Sequence, residues 1–321
     1  MNVKTVINKM LRKSISIPYC LIKRAKRDSV DFFMTEACNI AENSQYQIAY
    51  RKIPKKYDEI PMLNYQTNIS YAIVMQGPIR TEENFTLTTV NYYKRTFPQA
   101  RIIVSTWDDE SSQETTDFSH FAALKEINMP LILFDRVCLT DQFSSVIADG
   151  AQSAQMATQH LLDNGSKRVA FIGGANHLDI VKRRKHGYLE ALRENRIPIE
   201  KELVVCRKID YEEGKIATET LLSLPQPPDA ILAMNDTLAF AAMEVIKNHG
   251  LRIPNDVAII GYTDEQHANY VEPKLSAVSH QTYKMGETAC QLLIDRIKGD
   301  KTIKQVTIPT HLQIRESSIK K

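Results

Sequence analysis

Glycine is scarce in the first half of this 321-residue chain. Of the eleven glycines, only Gly77 precedes residue 150, and the other ten lie between Gly150 and Gly299. Tight turns between strands and helices use glycine because it adopts positive φ without a steric penalty. We therefore expect densely wound strand–helix structure after residue 150 and a different organisation before it.

Paired cysteines are also missing. The five cysteines are odd in number and widely separated, and no CxxC motif occurs. This pattern predicts neither a disulfide framework nor a zinc site, and it indicates a reducing cytoplasm. The cysteines are Cys20, Cys38, Cys138, Cys206 and Cys290.

No apolar run approaches the roughly 18–20 residues of a membrane-spanning helix. The longest candidate, residues 15–22, is interrupted by Ser16 and Pro18. A basic run at 23–27 follows it, where a secretory signal would have a small-residue cleavage site. Residues 1–30 carry eight Lys and Arg against one acid. We interpret this basic leader either as a solvated or loosely docked arm or as a segment that contacts an anionic membrane surface.

The signatures of common enzymes are absent as well. The sequence contains no GxSxG motif and no P-loop, and its eight histidines are dispersed without metal-ligand spacing. We interpret each histidine as a surface or capping residue. The net charge of +3 is too small to imply nucleic-acid binding by itself. These features favour a chain that is not an enzyme and uses no metal or cofactor.

What remains is the pattern of a parallel α/β protein. Hydrophobic and charged contents of 43% and 25% are globular averages. Short apolar runs alternate with amphipathic segments of helical length, as in a parallel sheet covered on both faces. One strand–helix–strand unit is predicted over 71–105, with its helix at 81–97. The longer alternation after Asp117 predicts helices at 118–127, 151–162, 182–195, 213–224 and 238–249, and strands at 131–134, 146–148, 168–172, 203–206, 230–234 and 257–260.

Polar residues lie near the ends of several predicted strands, at the edge where ligands of open α/β sheets bind. Planar, fixed donors and acceptors such as Arg, Asp and Asn suit the recognition of a polyol. Asp149 and Asp236 either contact a ligand or cap the helices that follow them. Arg184 either binds a ligand or forms a surface salt bridge, since three other basic residues surround it.

A series of phrases between about 112 and 318 resembles the effector-binding core of the LacI/GalR family. Each phrase is weak alone, but their order over roughly 200 residues is specific. The phrases are Phe134-Asp135-Arg136, Ala148-Asp149-Gly150, residues 157–162, residues 164–174, Arg184 with Gly187-Tyr188, Ala233-Met234-Asn235-Asp236, residues 254–262 and Met285-Gly286-Glu287-Thr288-Ala289.

This resemblance implies a periplasmic-binding-protein-like pair of lobes, each with a parallel sheet, that closes on a small carbohydrate-like effector. It implies that Asp149, Arg184 and Asp236 face the cleft and that Asn235 buttresses a strand end. It implies an effector-binding domain of a transcriptional regulator.

Two positions depart from the family pattern. Many relatives carry a ligand-binding acid immediately after the aromatic of the phrase Gly261-Tyr262, where this chain has Thr263. Thr263 and Asp264 are therefore both candidates for contact with the effector. A position that often holds a stacking aromatic has Ile209 here, and Tyr211 either compensates for that change or belongs to the core or rim.

The family's DNA-binding part is not recognisable in the leader. Residues 1–70 show no paired short helices with a turn glycine, so a helix-turn-helix is not predicted. Basic residues can contact phosphates nonspecifically, but sequence-specific recognition needs a helix presented to the groove. We do not expect specific DNA binding from this chain alone.

Residues 71–110 resemble a different family, the WavE-like proteins of lipopolysaccharide synthesis, which are associated with glycosyl transfer. The resemblance implies one half of a nucleotide-sugar site, and the acids at 108–110 are either part of it or a solvated loop. This gives an alternative function, a truncated nucleotide-sugar-binding protein of polysaccharide synthesis. The matching phrases are residues 73–79 and 92–107.

Together the two resemblances predict a fusion in which a foreign βαβ unit partly replaces the first lobe. Because that change affects the surface through which relatives dimerise, we expect a weak homodimer or a monomer. The predicted segments are a leader and linker at 1–68, the βαβ unit at 69–111, the rest of the first lobe at 112–149 and 279–300, and the effector-binding lobe at 150–278 and 301–318.

Overall fold

A computed structural model describes residues 48–52, 72–76, 102–106, 130–135, 137 and 139–320 of the chain. In chain order, the strands of this part are β1 (Ile48–Lys52), β2 (Ala72–Gln76), β3 (Ile102–Thr106), β4 (Leu131–Phe134), β5 (Ser144–Ala148), β6 (Val169–Gly173), β7 (Val204–Cys206), β8 (Ala230–Ala233), β9 (Ala258–Thr263), β10 (Ser276–His280), β11 (Gln305–Ile308) and β12 (Thr310–Gln313). The α-helices are α1 (Gly150–Asp163), α2 (Asp179–Glu194), α3 (Tyr211–Leu222), α4 (Asp236–Asn248) and α5 (Thr282–Ile297).

The strands form two sheets, which confirms the predicted two-lobed α/β architecture. The first sheet has the order β1-β3-β2-β4-β5-β11, and the second has the order β12-β10-β9-β8-β6-β7. All neighbours in the first sheet are parallel. In the second sheet β12 alone runs antiparallel to its neighbour β10.

The second sheet carries a continuous apolar core. Strands β6 and β8 are buried at every position, as expected of parallel strands covered on both faces. Helices α1 and α2 pack against each other, and so do α3 and α4. Gly187 permits the first of these contacts, because a Cβ added there would lie 1.9 Å from the carbonyl oxygen of Ala151.

The chain passes between the two sheets three times. It leaves the first sheet after β5, because α1 packs against β6 and β8 of the second sheet. It returns after β10, because α5 packs against β2, β4 and β5. The last passage, between β11 and β12, occurs at Pro309. The carboxyl ends of β5 and β10 therefore both lie where the two sheets meet.

Two features of this topology differ from expectation. The segment predicted as leader and linker contains β1, which pairs with β3. Residues 301–318 were expected in the second lobe, but β11 pairs with β5 of the first sheet, and only β12 joins the second. The pairing of β2 with β3 agrees with the predicted strand–helix–strand unit, whose helix at 81–97 lies outside the described residues, as does the helix at 118–127.

None of the helices in the described part of the chain has the length and apolarity that crossing a bilayer requires.

Candidate functional site

Arg184, on the second turn of α2, is the centre of the polar cluster at the strand ends. Its side chain is buried, with 3% of the residue exposed. One guanidinium nitrogen donates a hydrogen bond to the carbonyl oxygen of Met234, directly after β8. Another, Nη2, lies 3.3 Å from Nε2 of His280 at the end of β10. These contacts make the surface salt-bridge interpretation of Arg184 wrong, because its charge is directed into the strand ends.

The ring of Tyr262 packs against this guanidinium. The Arg184 Cζ atom lies 4.0 Å from the centre of the Tyr262 ring, in cation–π geometry. The Tyr262 hydroxyl is 3.2 Å from Oγ of Ser153, and Ser153 donates a hydrogen bond to the carbonyl oxygen of Asp149. Burial raises the pKa of Tyr262 to about 12. The start of α1, the helix α2 and the end of β9 are thus joined through one buried network.

Asp149 caps α1, as one of the two interpretations of the sequence held. Its Oδ1 atom accepts a hydrogen bond from the backbone N–H of Gln152 at 3.0 Å. The residue is half-buried and directly follows β5, where the chain passes from the first sheet to the second. A carboxylate has further acceptor positions beyond the one used by the cap. The cap and a ligand contact are therefore compatible.

His280 belongs to the same cluster, although the sequence pattern placed it among dispersed surface and capping histidines. It accepts the hydrogen bond from Arg184, and its ring lies 6.3 Å from that of Tyr262 in edge-on geometry. Burial first, and then the Arg184 charge, lower the pKa of His280 to about 4, while Asp135 at the end of β4 acts in the opposite direction. His280 is thus neutral at pH 7. It ends β10, the strand after which the chain returns from the second sheet to the first.

Asn235 and Asp236 lie at the start of α4, directly after the end of β8. Asn235 caps α4, because its Oδ1 accepts from the backbone N–H of Leu238 at 3.0 Å. Asp236 is 0% exposed and does not face solvent at the cleft. Its Oδ2 accepts from the backbone N–H of Glu265 at 2.7 Å. Burial raises the pKa of Asp236 well above its usual value.

Thr263 and Asp264 follow directly on Tyr262 and share an unusual backbone. Both are non-glycine residues with positive φ, at 96° and 60°. The Asp264 carboxylate forms a 2.7 Å ion pair with Arg315, and both side chains are largely buried. Thr263 is half-buried at the strand end and directly follows Tyr262, the residue whose ring lies against Arg184.

The Tyr211 side chain contacts helix α4. Tyr211 begins α3, and its hydroxyl donates a 2.6 Å hydrogen bond to Glu244 on α4. Burial and this bond raise the pKa of Tyr211 to about 12. The ring remains 37% exposed, which agrees with a rim position. Ile209 is buried and packs against Gly174, directly after β6.

The cluster has the groups for binding and lacks an arrangement for holding a metal. In the part of the chain that the structure describes, no three side chains of the His, Cys, Asp and Glu types are grouped so as to hold a metal ion. Arg184 supplies donors and Asp149 supplies an acceptor at adjoining strand ends. A polyhydroxylated ligand needs both kinds of group in fixed positions.

Residues 158–318 match the family described as the periplasmic binding protein-like domain. The chain belongs to this family. It is 32% identical over 207 residues to the probable HTH-type transcriptional repressor ExuR of Bacillus subtilis, which covers 64% of this chain and 62% of the relative. It is 35% identical over 178 residues to the HTH-type transcriptional regulator CelR of Thermobifida fusca, covering 55% and 52%.

Among solved structures, the complex of the transcriptional regulator CelR with cellobiose matches at a TM-score of 0.64 and 26% identity, covering 79% of this chain and 86% of that one. The match supports the two-lobed fold and the resemblance to a LacI/GalR effector-binding core. The chain spans about half to three-fifths of the length of the curated relatives it matches. The predicted resemblance of 71–110 to glycosyltransferases gains no support from these similarities.

Proposed function

We propose that this chain is a non-catalytic effector-binding protein of the LacI/GalR type, which closes its two lobes on a small carbohydrate. The observation that carries the proposal is the Arg184 assembly. Arg184 is fixed by Met234, Tyr262 and His280 at the strand ends of the second sheet, and the Tyr262 hydroxyl contacts Ser153, which donates to the carbonyl oxygen of Asp149 directly after β5 of the first. A ligand bound beside Arg184 would therefore meet groups of both lobes.

Ligand contact in this proposal is made by Arg184, Asp149 and Thr263. Asn235 supports the site by capping α4, and Tyr211 stays at the rim. A neutral sugar suits this set, because its hydroxyls can donate to Asp149 and accept from Arg184 at the same time. The carbohydrate in the complex of the similar CelR supports this class of ligand.

Regulation is the natural output of such a domain. The relatives ExuR and CelR are transcription regulators, and a change in lobe closure is a two-state equilibrium that a bound sugar can shift. We propose that this chain does not bind specific DNA by itself, and that it acts in the cytoplasm as a monomer or weak homodimer. Light scattering at micromolar and submicromolar concentration tests the last point, and a tight dimer at the lower concentration would contradict it.

A thermal-shift screen of the full chain tests the binding proposal. The panel contains D-glucose, D-ribose and cellobiose, with UDP-glucose as the nucleotide sugar. We expect one or more neutral saccharides to raise the melting temperature, because a ligand that binds only the folded state stabilises it. Stabilisation by UDP-glucose alone would favour the glycosyltransferase alternative, and no shift with any neutral sugar would overturn the proposal.

A further inference from the structure

Two consecutive residues at the end of β9 have a backbone conformation that L residues rarely adopt. Thr263 and Asp264 have φ angles of 96° and 60°. Non-glycine residues persist in this region when surrounding contacts over-determine them, and such residues cluster at ligand-binding segments. The contacts that hold this pair lie outside the strand.

The first contact comes from Asp236 at the start of α4. Its carboxylate is fully buried and accepts the backbone N–H of Glu265 at 2.7 Å. The second oxygen, Oδ1, lies against Gly261, where an added Cβ would approach it to 2.4 Å. This oxygen has no hydrogen-bond partner. The carboxylate is therefore directed at the segment and fixes its far end.

The second contact comes from Arg315, which follows β12. Its Nη2 lies 2.7 Å from the Asp264 carboxylate, and its Nη1 donates to the carbonyl oxygen of Leu275 at 2.7 Å. Its backbone N–H donates to Oγ of Ser276 at 2.7 Å. With side chain and backbone both tied to the start of β10, Arg315 is a rigid anchor for the middle of the segment.

We propose that Asp236 and Arg315 are positioning residues that hold Thr263–Glu265 in this conformation and so set how Thr263 meets the effector. The part concerning the effector rests on the proposed function. Asp236 and Asp264 are engaged by these contacts, since Asp236 is buried and Asp264 is paired with Arg315. In this proposal the ligand meets the Thr263 hydroxyl at the end of β9, and a hydroxyl can donate to or accept from a neutral sugar hydroxyl.

Substitution of Asp264 by two different small residues tests the backbone argument. Asp264→Ala removes the anchor but keeps a side chain that disfavours positive φ, whereas Asp264→Gly removes the anchor and tolerates that φ. We expect Asp264→Ala to weaken saccharide binding about tenfold, and Asp264→Gly to recover most of that loss. Equal losses in both variants would show that the positive φ at 264 does not set the affinity, and unchanged binding in both would also overturn the proposal.

Arg196 offers a matched control. It is an exposed residue after α2 with a φ of 58°, and it lies outside the strand-end cluster. Arg196→Ala and Arg196→Gly repeat the same backbone comparison without an effect on the site. Both should bind the saccharide like the unmodified chain.

A double-mutant cycle tests whether the effect passes through Thr263. On a Thr263→Ala background, Asp264→Ala should cause little further loss of affinity, because the positioned hydroxyl is already gone. Additive losses would show a general structural effect and overturn the proposal. The titrant is whichever of D-glucose, D-ribose and cellobiose gives the largest thermal shift.

Hydrogen exchange of the unliganded chain separates this proposal from the proposed function. Asp264→Ala, Arg315→Gln and Asp236→Ala should each increase amide exchange at 264–266 about tenfold, while Arg196→Ala should not. Should Asp236→Ala fail to fold, the other two variants still decide. Unchanged exchange would overturn the positioning roles, whereas faster exchange without any saccharide binding would overturn the proposed function alone.

Discussion

The guanidinium carbon of Arg184 lies 4.0 Å from the centre of the Tyr262 ring, so a cation of helix α2 rests on an aromatic of strand β9. Buried cation–π contacts can contribute about 2 kcal/mol. Because the same guanidinium also donates to Met234 and His280, its plane is fixed before any ligand arrives. A site fixed in this way loses less conformational entropy when it binds.

Arg184→Lys should therefore weaken saccharide binding by about tenfold or more. Lysine has a compact ammonium instead of a planar fork, so it cannot keep both hydrogen bonds and the stacking on Tyr262. Calorimetric titration measures the loss. Arg183→Lys is the matched control, because the neighbouring Arg183 pairs with Asp179 at 2.8 Å. Equal saccharide affinities for both variants would show that Arg184 does not contact the saccharide.

Asp149→Asn separates the two roles open to Asp149. Asparagine caps helices as well as aspartate does, so the free energy of unfolding should change by less than about 0.5 kcal/mol. Asp149→Ala loses the cap and should cost about 1 kcal/mol. If the carboxylate accepts from a sugar hydroxyl, Asp149→Asn should still bind the saccharide several-fold more weakly. Unchanged affinity would leave Asp149 as a helix cap only.

The depressed pKa of His280 predicts lower stability in mild acid. The pKa is about 4 in the folded chain against 6.5 for an unperturbed histidine, so the unfolded state takes up the proton first. Stability from this group is complete above the unfolded pKa and is lost as the pH falls toward 4. At 1.36 kcal/mol per pKa unit, the loss is roughly 1–3 kcal/mol.

Urea unfolding at a series of pH values measures this dependence. His280→Gln should flatten the slope between about pH 7 and pH 4.5. His186→Gln, which changes a histidine whose side chain is 64% exposed, should leave the slope unchanged. The same slope in all three proteins would contradict the depressed pKa of His280.

Gly187→Ala should separate helices α1 and α2. The added methyl would lie 1.9 Å from the Ala151 carbonyl oxygen, and backbone of a buried helix cannot move aside cheaply. We expect a loss of about 3 kcal/mol in the free energy of unfolding. Lys182→Ala, at an exposed position of α2, should stay within about 0.5 kcal/mol. A similarly small loss for Gly187→Ala would contradict the close contact.

The sequence predicted strands β6, β7, β8 and β9 of the second sheet because each contains a run of apolar residues next to a helix. Strand β10, which contains two serines and a histidine, was not predicted. Strand β6 and helix α1 were predicted to within one or two residues of their bounds. Strands β11 and β12 were not predicted, since they are short and carry few apolar residues. The register of each strand depends on a distant partner. Strand β11 pairs with residues more than 150 positions away in the sequence, and β12 pairs with residues about 30 positions away.

The site was predicted in part. Asp149 and Arg184 were found because they follow or face strand ends in a recognisable order. Arg315 and His280 were not, because their roles arise from contacts with Asp264 and Arg184 that no local pattern encodes. Asp236 was expected to face the cleft, and only the packing of β9 against α4 shows that its carboxylate is covered.

The central claim is that the strand-end cluster binds a carbohydrate and leaves it intact. Calorimetric titration of the full chain with the best saccharide of the panel, followed by chromatography of the recovered ligand, tests both parts together. The account predicts saturable binding and complete recovery of the unmodified sugar. Absence of any saccharide binding, together with consumption of UDP-glucose by the same sample, would contradict it.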